Sequence, residues 1–429
     1  MAYNISKEYF LSLYKTQTNF IAGETARAKA LMYIQSNDFP TSKTEEWRHT
    51  ILKNLLQPEY QLANQNNSIE TISDFLISEL KSNVLVLVNG ILNKKHNQWF
   101  EKSDKIIVES LQSAKQNNSD IFEKYFDATN KFESIFDALN SAFASDGLFI
   151  KIPKNTILEN PIHIVNIISA NHKSQFIQPR NLFVIEENAQ AIFLESFHFV
   201  GQSKESQFQN QISEVILRGN SRLAYYQLFS SPVNCQFINA LKVEQENSSV
   251  FNTNSVLLGG GLVRNEIKVN LNGQGCETNL NGIYLPNANQ FFDNYTSVIH
   301  AQPHCASHQV YKGIIGANGS GNYLGKVYVA KDAQKTDATQ SNKNILLDAT
   351  SQANSKPQLE IHADDVKCSH GSTTGQLDKE QLFYLQSRGI TKIKAQNLLL
   401  NAFTNEVTGK IEIEGYKNFV EELIQNKLQ

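Results

Sequence analysis

The residues best suited to chemistry lie close together in the segment 361–375, IHADDVKCSHGSTTG. Within it, Cys368 and His370 supply a thiol and an imidazole, the side chains that bind soft and borderline metal ions. On a strand, residues two apart point to the same face, so these two side chains would project together. They form only half of a usual four-ligand site, and no second Cys/His pair follows. A metal here needs ligands from elsewhere in the chain, from solvent or from a partner; packing without ligation is the alternative interpretation.

The charged neighbours of Cys368 and His370 are candidate catalytic groups. Asp364 and Asp365 could act as acid and base, but adjacent residues on a strand face opposite sides, which disfavours cooperation. Asp365 or Lys367 could instead orient His370 or Cys368.

A second Cys/His-rich tract, HAQPHCASHQ, begins at His300. Regular alternation would place His300, His304 and His308 on one face, near Cys305, although Pro303 works against a regular strand. Metal binding is conceivable for such a tract. Turn and surface histidines around a core cysteine are the favoured interpretation.

The composition excludes several classes of protein. The 429 residues favour two or three domains, and a net charge of −3 offers no basic field for nucleic acid or an anionic membrane. No signal-length or membrane-spanning apolar run is seen, which predicts a cytoplasmic protein. The four cysteines form no C-x-x-C pair, so a zinc ribbon or a locally ligated cluster is disfavoured, and reduced thiols are expected.

The glycine-rich segments do not form a nucleotide site. Neither 259–261 nor 316–321 is followed by Lys-Ser or Lys-Thr, and Gly325-Lys326 runs into Val327 where a hydroxyl would be needed. These glycines are interpreted as tight turns between strands.

The elements that must position the candidate residues follow from hydrophobic periodicity. Short alternating runs dominate from about residue 147 to 368, and compact polar turns recur at Asn188, Asn220, Asn247 and Asn272, in steps of 32, 27 and 25 residues. Such repeating strand–turn units predict a right-handed parallel β-helix. Tight hairpin signals of the Asn-Gly type, such as Asn272-Gly273, are few, which disfavours the alternative, a β-sandwich.

Helices are predicted on both sides of this solenoid. One segment, EEWRHTILKNLL, places Trp47, Ile51 and Leu55 at helical spacing. After residue 374, Asp378 and Gln381 form a capping box, the helix ends at Gly389, and further helices follow. The predicted domains are 1–140, mainly helical; 141–374, the β-helix; and 375–429, helical.

Long segments of this sequence resemble the SufB/SufD family of iron–sulfur cluster assembly subunits, and specifically its SufD branch. They include ARAKALMYIQSNDFPTSKTEEWRHT, VNG, ALNSAFASDGLFIKIP, YKGIIGANGSGNYLGKVYV, AQKTDATQSNKNILLD, SKPQLEIHADDVKCSHGSTTGQLD and LFYLQSRGI. The resemblance covers essentially the whole chain. SufB-like chains carry a C-D-S cysteine and an E-H-E-A stretch, where this sequence has Gln340–Lys343 and Val366–His370.

The resemblance implies a non-catalytic subunit of a complex of one SufB, two SufC and one SufD. It implies that the β-helix meets SufB, and that Cys368 and His370 form a transient iron or cluster site with SufB ligands, serving iron acquisition and cluster assembly. The C-terminal helices would dock the ATPase SufC through residues Leu382, Phe383, Leu385, Arg388 and Gly389. No tightly bound cofactor is expected, and the isolated chain could form a homodimer.

Three alternatives remain open on the sequence. The chain could be a SufB-like scaffold that holds the cluster itself. A β-helix enzyme acting on polysaccharide would need clustered acids and is usually exported. A stand-alone metalloenzyme would need a second ligand pair.

Overall fold

The computed structural model describes residues 5–63, 69–100, 106–126, 132–170 and 172–428. The chain is mainly β, with a solenoid of about eight turns and helices flanking it at both termini. Its helices are α1 (Lys7–Tyr14), α2 (Glu24–Ser36), α3 (Leu111–Asn117), α4 (Ser119–Tyr125), α5 (Ile135–Phe143), α6 (Lys379–Ser387), α7 (Lys392–Thr408) and α8 (Glu414–Leu428).

The strands before the regular solenoid and in its first turns are β1 (Gln61–Leu62), β2 (Asn83–Val88), β3 (Ile91–Leu92), β4 (Ile107–Ser110), β5 (Leu148–Ile152), β6 (Ile162–Ser169), β7 (Gln175–Ile177), β8 (Arg180–Ile185), β9 (Gln190–Val200) and β10 (Gln207–Leu217). The later strands are β11 (Arg222–Phe229), β12 (Cys235–Gln245), β13 (Val250–Leu257), β14 (Leu262–Leu271), β15 (Glu277–Tyr284), β16 (Phe291–His300), β17 (Ala306–Ile315), β18 (Ser320–Val329), β19 (Asp337–Leu346), β20 (Gln352–Ile361) and β21 (Lys367–Gly375).

The chain alternates between two sheets, which makes it a parallel β-helix. From β8 onward the even-numbered strands stack in one sheet, which ends at β20, and the odd-numbered strands stack in the other, which ends at β21. The stacked strands are parallel, and the antiparallel pairs are confined to β2–β3 and β4–β5. The Asn272-Gly273 turn joins β14 and β15, which belong to different sheets, so it closes no hairpin. The predicted solenoid is confirmed, and the sandwich is not.

The turns stack as regularly as the strands. Asn155, Asn188 and Asn220 all adopt the left-handed conformation, with φ of 59°, 58° and 56°. Asn188 donates its amide N–H to the Oδ1 of Asn155, and Asn220 donates to the Oδ1 of Asn188, each at 2.8 Å. Asparagine tolerates this backbone conformation, so two of the four polar turns that the sequence indicated, those at Asn188 and Asn220, form a ladder with Asn155 along one corner.

Two-residue alternation sorts the side chains of each strand between the interior and the outer face. On β10, Val215 and Leu217 belong to the interior core, whereas Ile216 packs outward against the N-terminal region. The interior core includes Leu87, Phe183 and further apolar residues from both sheets. Both faces of the sheets are therefore buried before the last turn.

The N-terminal helices cover the outer face of the first sheet. Phe10 of α1 packs on Phe176, with ring centroids 5.0 Å apart, in a cluster that also includes Phe208 and Phe136. Arg264 is buried on the same face, where its guanidinium lies 3.7 Å from the Trp47 ring centroid.

The C-terminal helices α7 and α8 cover the outer face of the second sheet. Tyr416 of α8 stacks on Tyr226 of β11 at 5.6 Å, within a cluster that includes Val420 and Ile424. Lys312 of β17 lies 2.6 Å from the carboxylate of Glu406 on α7.

One predicted helix is wrong. In place of a helix through EEWRHTILKNLL, the structure has a 3-10 turn at Glu45–Trp47. Trp47 and Leu55 are buried as expected, but Ile51 is 58% exposed. Arg264 also donates to the carbonyl of Glu46 at 3.0 Å, so docking of this segment on the first sheet replaces helical periodicity.

The domain division at residues 140 and 374 remains a prediction. Strand β2, which lies within the predicted N-terminal domain, pairs with β6 and so extends the second sheet.

The attachment of α5 generates a prediction about pH. Asp137 is buried on α5, and its carboxylate lies 3.0 Å from Lys242 of β12. Burial raises the pKa of Asp137, but the ammonium groups of Lys242 and Lys268 outweigh this and lower the pKa to about 2. The stabilisation is therefore present above the unfolded pKa, near 3.9, and is lost as pH falls toward 2.

We expect Asp137→Asn to lower the free energy of unfolding by about 2 kcal/mol at pH 7, and the deficit should shrink between pH 5 and pH 2. Asparagine keeps an acceptor for the Ser134 N–H, so the helix cap survives. Denaturant unfolding across this pH range measures the effect. The control Glu187→Gln, at an exposed ion pair with Lys154, should cost less than about 1 kcal/mol. A deficit for Asp137→Asn that does not change with pH would contradict the assignment.

Candidate functional site

The predicted metal-binding residues lie at the end of the solenoid. In the described part of the chain, β20 pairs only with β18 and β21 only with β19, so each is the last strand of its sheet. Most residues of β21 are exposed, whereas β16, deeper in the solenoid, is largely buried. The outer edges of β20 and β21 therefore present backbone groups that no further strand of this chain covers.

Cys368 and His370 share the face of β21 that is turned toward the solenoid interior. They pair in register with Ala338 and Gln340 of β19, both of which are buried. Cys368 is half-buried and packs against the interior core, and burial raises the pKa of its thiol. His370 is exposed at the open end. The spacing argument thus predicted a shared face, and the structure adds that this face is the inward one.

The layer beneath His370 is polar. Gln340 pairs in register with Gln309 of β17, and both side chains are buried. Neither polar atom of the Gln340 amide has a hydrogen-bond partner among the described residues, and the same holds for the hydroxyl of Ser355 on β20. Gly325 leaves room for the amide, because a Cβ there would lie 2.8 Å from the Gln340 Nε2.

Two other potential metal ligands near Cys368 and His370 contact side chains of their own surroundings. Asp365 forms an ion pair with Lys335, and His362 lies 3.0 Å from the carboxylate of Glu360. In the described ranges, no three His, Cys, Asp or Glu side chains are grouped as a metal site. If Cys368 and His370 bind a metal, the described residues place no third ligand of these types beside them.

The second Cys/His tract does not place its histidines on one face. Strand β16 ends at His300 and β17 begins at Ala306, so a turn separates them. His300 is buried against the hydroxyl of Ser307 at 2.8 Å, while His308 contacts Thr339 at 2.9 Å. His304 sits in the turn with φ of 62°. As interpreted, Cys305 is a core residue and His304 lies in a turn, but His300 is buried and is not a surface residue.

Most of these glycines lie in turns, as expected, whereas Gly321 and Gly325 lie within β18. Gly259 could not be substituted without a clash, because a Cβ there would lie 2.3 Å from the carbonyl oxygen of Ser231. The segment 316–319 turns between β17 and β18, and Gly325-Lys326 lies inside β18.

The C-terminal helix α6 carries the residues predicted to dock a partner. Leu382 and Leu385 are half-buried, Phe383 is 72% exposed, and Arg388 is exposed. Gly389 ends the helix with φ of 85°, a conformation that favours glycine.

Sequence reasoning missed three exposed apolar residues beside these: Tyr384, Ile393 and Leu398. The Arg388 guanidinium lies 5.3 Å from the Tyr384 ring centroid, and a shallow cavity of about 400 Å³ opens beside Leu385 and Leu399. The signal that could have found them is apolar residues within predicted helices: Tyr384 next to Phe383 in α6, and Ile393 and Leu398 early in α7. Together, α6 and α7 expose an apolar surface of the kind that marks protein interaction sites.

Comparison with known proteins gives matches over nearly the whole chain. Residues 167–403 match the model described as "SUF system FeS cluster assembly, SufBD core domain", and residues 4–164 match "SufBD protein N-terminal region". The chain is 29% identical to the iron–sulfur cluster assembly protein SufD of Escherichia coli, covering 91% of this chain and 89% of that protein.

Two other relatives have a comparable sequence identity to this chain. An iron–sulfur cluster assembly SufBD family protein of Synechocystis is 27% identical, with 90% of this chain and 87% of that protein covered. SufD of Bacillus subtilis is 28% identical, with 77% and 76% covered. Separately, no helix in the described residues combines the length and apolar character needed to cross a membrane.

The unpartnered amide beneath His370 generates a prediction about stability. Gln340→Met keeps the side-chain volume similar and removes a buried donor and acceptor that lack protein partners. Because an unsatisfied buried polar group costs about 1–3 kcal/mol, we expect the free energy of unfolding to rise by up to about 1 kcal/mol, as measured by denaturant titration.

A matched control lies two residues away in Asn342. Its amide donates to the hydroxyl of Tyr284 at 2.9 Å and to the carbonyl of Tyr311 at 3.2 Å. Asn342→Leu should therefore destabilise the protein by about 1–3 kcal/mol. A clear loss of stability in Gln340→Met would show that the amide is engaged within the chain.

Proposed function

The chain belongs to the SufBD family of iron–sulfur cluster assembly proteins, and we propose that it acts as a non-catalytic subunit of a SUF complex. In this proposal the open end of the β-helix binds a SufB-like subunit. Two SufC-like ATPases complete the complex, one of them on this chain. The observation that most supports this proposal is that Cys368 and His370 face inward on β21, whose outer edge pairs with no other described strand.

The geometry of the open end supports a subunit interface there. Solenoids usually close their ends with a polar capping repeat, and unpaired strand edges readily pair with another chain. Here β20 and β21 end the solenoid, and the chain continues directly into α6. A partner strand laid against either edge would satisfy its backbone groups and cover the interior.

The same interface would complete the metal site. A thiolate and an imidazole suit iron, and a partner that covers the end of the solenoid brings its own side chains against them. The unpartnered groups of Gln340 and Ser355 lie just behind and could hydrogen-bond to such ligands or to His370. Iron, or a nascent cluster, is the cargo of this site and not a resident cofactor.

The exposed surface of α6 and α7 supports ATPase docking. Phe383, Tyr384 and Ile393 are 72%, 57% and 73% exposed, and Arg388 lies beside Tyr384. Aromatic residues with an arginine are typical of interface hot spots. Nucleotide hydrolysis would then belong to the separate ATPase chain, and this chain would transmit its movement to the open end.

The first prediction from this proposed function concerns His370. In a complex purified with its SufB-like and SufC-like partners, His370→Ala should keep subunit stoichiometry but lower the iron content to less than about half. Cys368→Ala should have a smaller effect, because other ligands can replace a lone thiol. The measurement is iron and sulfide per complex, with His308→Ala as the control because that imidazole bonds to Thr339.

Two outcomes would contradict this assignment. Wild-type iron content in the His370→Ala complex would remove the metal role. Loss of the SufB-like subunit before any loss of iron would instead make His370 an interface residue that only satisfies hydrogen bonds.

The second prediction concerns the helical surface. Deleting residues 378–429 would uncover the apolar outer face of the second sheet, because α7 and α8 pack on it. A point change avoids this: Phe383→Asp should weaken capture of the SufC-like ATPase by more than about 2 kcal/mol in affinity, without loss of folding. Pull-down titration measures it, and Met32→Asp, on the 66% exposed Met32 of α2, is the control. Equal capture by both variants would place the ATPase elsewhere.

A further inference from the structure

Two cysteines that are distant in the sequence stack on adjacent turns of the solenoid. Cys276 immediately precedes β15 and Cys305 immediately precedes β17, and these strands pair in register from Glu277 and Ala306 onward. The N–H of Ala306 donates to the carbonyl of Cys276 at 2.9 Å, which continues the register to the cysteines themselves. Strands in a sheet lie roughly 4.8 Å apart, within the range of about 4.4–6.8 Å that separates the Cα atoms of disulfide-bonded cysteines.

The two sulfur atoms are neighbours. Each thiol donates to the same carbonyl oxygen, that of Gly273, at 3.2 Å. The two side chains are also hydrogen-bonded to each other. Both residues have free thiols and are about 1% exposed.

The two thiols differ in acidity. The hydrogen bond from Cys305 outweighs burial and lowers the pKa of the Cys276 thiol to about 7. The same contact, together with burial, raises the pKa of Cys305. A contact that lowers the pKa of one of two adjacent thiols favours its thiolate form, which is the nucleophile. Such a pairing is typical of a reactive cysteine beside a resolving cysteine.

The pair lies directly beneath surface turns. Gln274 and Gly275 are exposed on one turn and His304 on the next, and Gly275 and His304 both have positive φ. A small oxidant needs only local opening of these turns to reach the sulfurs, and turns open at much lower free energy than the sheets do. Cys235 also lies in the interior core, but there burial alone acts on the thiol and raises its pKa.

We propose that Cys276 and Cys305 form a reversible dithiol–disulfide pair that hydrogen peroxide oxidises. The Cys276 thiolate attacks one peroxide oxygen; an S–O bond forms, the O–O bond breaks, and hydroxide leaves and is protonated to water. The Cys305 sulfur, losing its proton, then attacks the Cys276 sulfenic acid; the S–S bond forms and a second water leaves. Two thiols are oxidised and one peroxide is reduced to two waters.

The disulfide would tie two adjacent turns of the solenoid together at one corner. It would oppose local opening of the turns 272–275 and 301–304, and a dithiol reductant would reverse it. The inference does not depend on the proposed function, because it uses only this chain and peroxide.

The experiment treats the purified full-length chain with about one equivalent of hydrogen peroxide, blocks free thiols under denaturing conditions, and maps peptides without reduction. We expect loss of two of the four thiols, recovered as one peptide pair that links Cys276 to Cys305. Cys235 should remain fully alkylated, and dithiothreitol should restore all four thiols.

Two variants distinguish the role of Cys276, which reacts with peroxide, from that of Cys305, which closes the disulfide. In Cys305→Ser, the sulfenic acid on Cys276 should persist and be trapped by dimedone. In Cys276→Ser, oxidation at Cys305 should be at least about tenfold slower. Mapping of the wild-type chain does not require either variant to fold. Any of three results would overturn the proposal: all four thiols stay intact, the disulfide involves Cys368 instead, or Cys305 is oxidised equally in the presence and the absence of Cys276.

Discussion

In-register stacking of parallel strands is the constraint on which the rest of this structure depends. Strands β10 and β12 pair along eleven consecutive residues, and the pairs that follow are nearly as long. Each side chain therefore lies directly above the corresponding residue of the previous turn. Since the side-chain period is two, a slip of one residue would turn every inward residue outward. The interior core, the asparagine ladder at the corner and the stacked cysteines all follow from this single register.

The same alternation explains why helices are needed on both sides. The outward residues of the two sheets are themselves apolar, as Phe208 and Tyr226 show, and a bare solenoid would expose them to water. The N-terminal region covers one sheet and α7 with α8 covers the other. Helix α6 differs, because it has no buried residue, and Phe383 and Tyr384 remain at the surface. The packing thus distinguishes helices that complete the fold from α6, which we propose binds a partner.

The sequence predicted those features that depend on local pattern. Repeated strand–turn units predicted the solenoid, and the two-residue spacing predicted that Cys368 and His370 share a face. Pattern failed where contacts distant in the sequence decide the structure. Trp47 has helical spacing, yet its segment is held by Arg264, more than 200 positions later. The proximity of Cys276 to Cys305 could not be predicted either, because it requires knowing which turns are adjacent.

Buried polar groups inside the solenoid differ in how well their hydrogen bonds are satisfied, and this bears on the proposed partner. Deep in the interior, the buried carboxylate of Glu195 accepts hydrogen bonds from Tyr225, Gln227 and Gln211 at 2.7, 3.2 and 2.6 Å. A buried polar group so well satisfied costs the fold little. Near the end, Gln340 has no such partners.

The chain stops coiling one turn above Gln340. A side chain on one turn is normally covered by the next turn, and β21 is the last strand of its sheet before α6 begins. The register that directs Cys368 and His370 inward therefore leaves them without a covering turn of their own chain. A second protein that stacks on β20 and β21 would supply it, and would convert an unfavourable interior surface into a shared site.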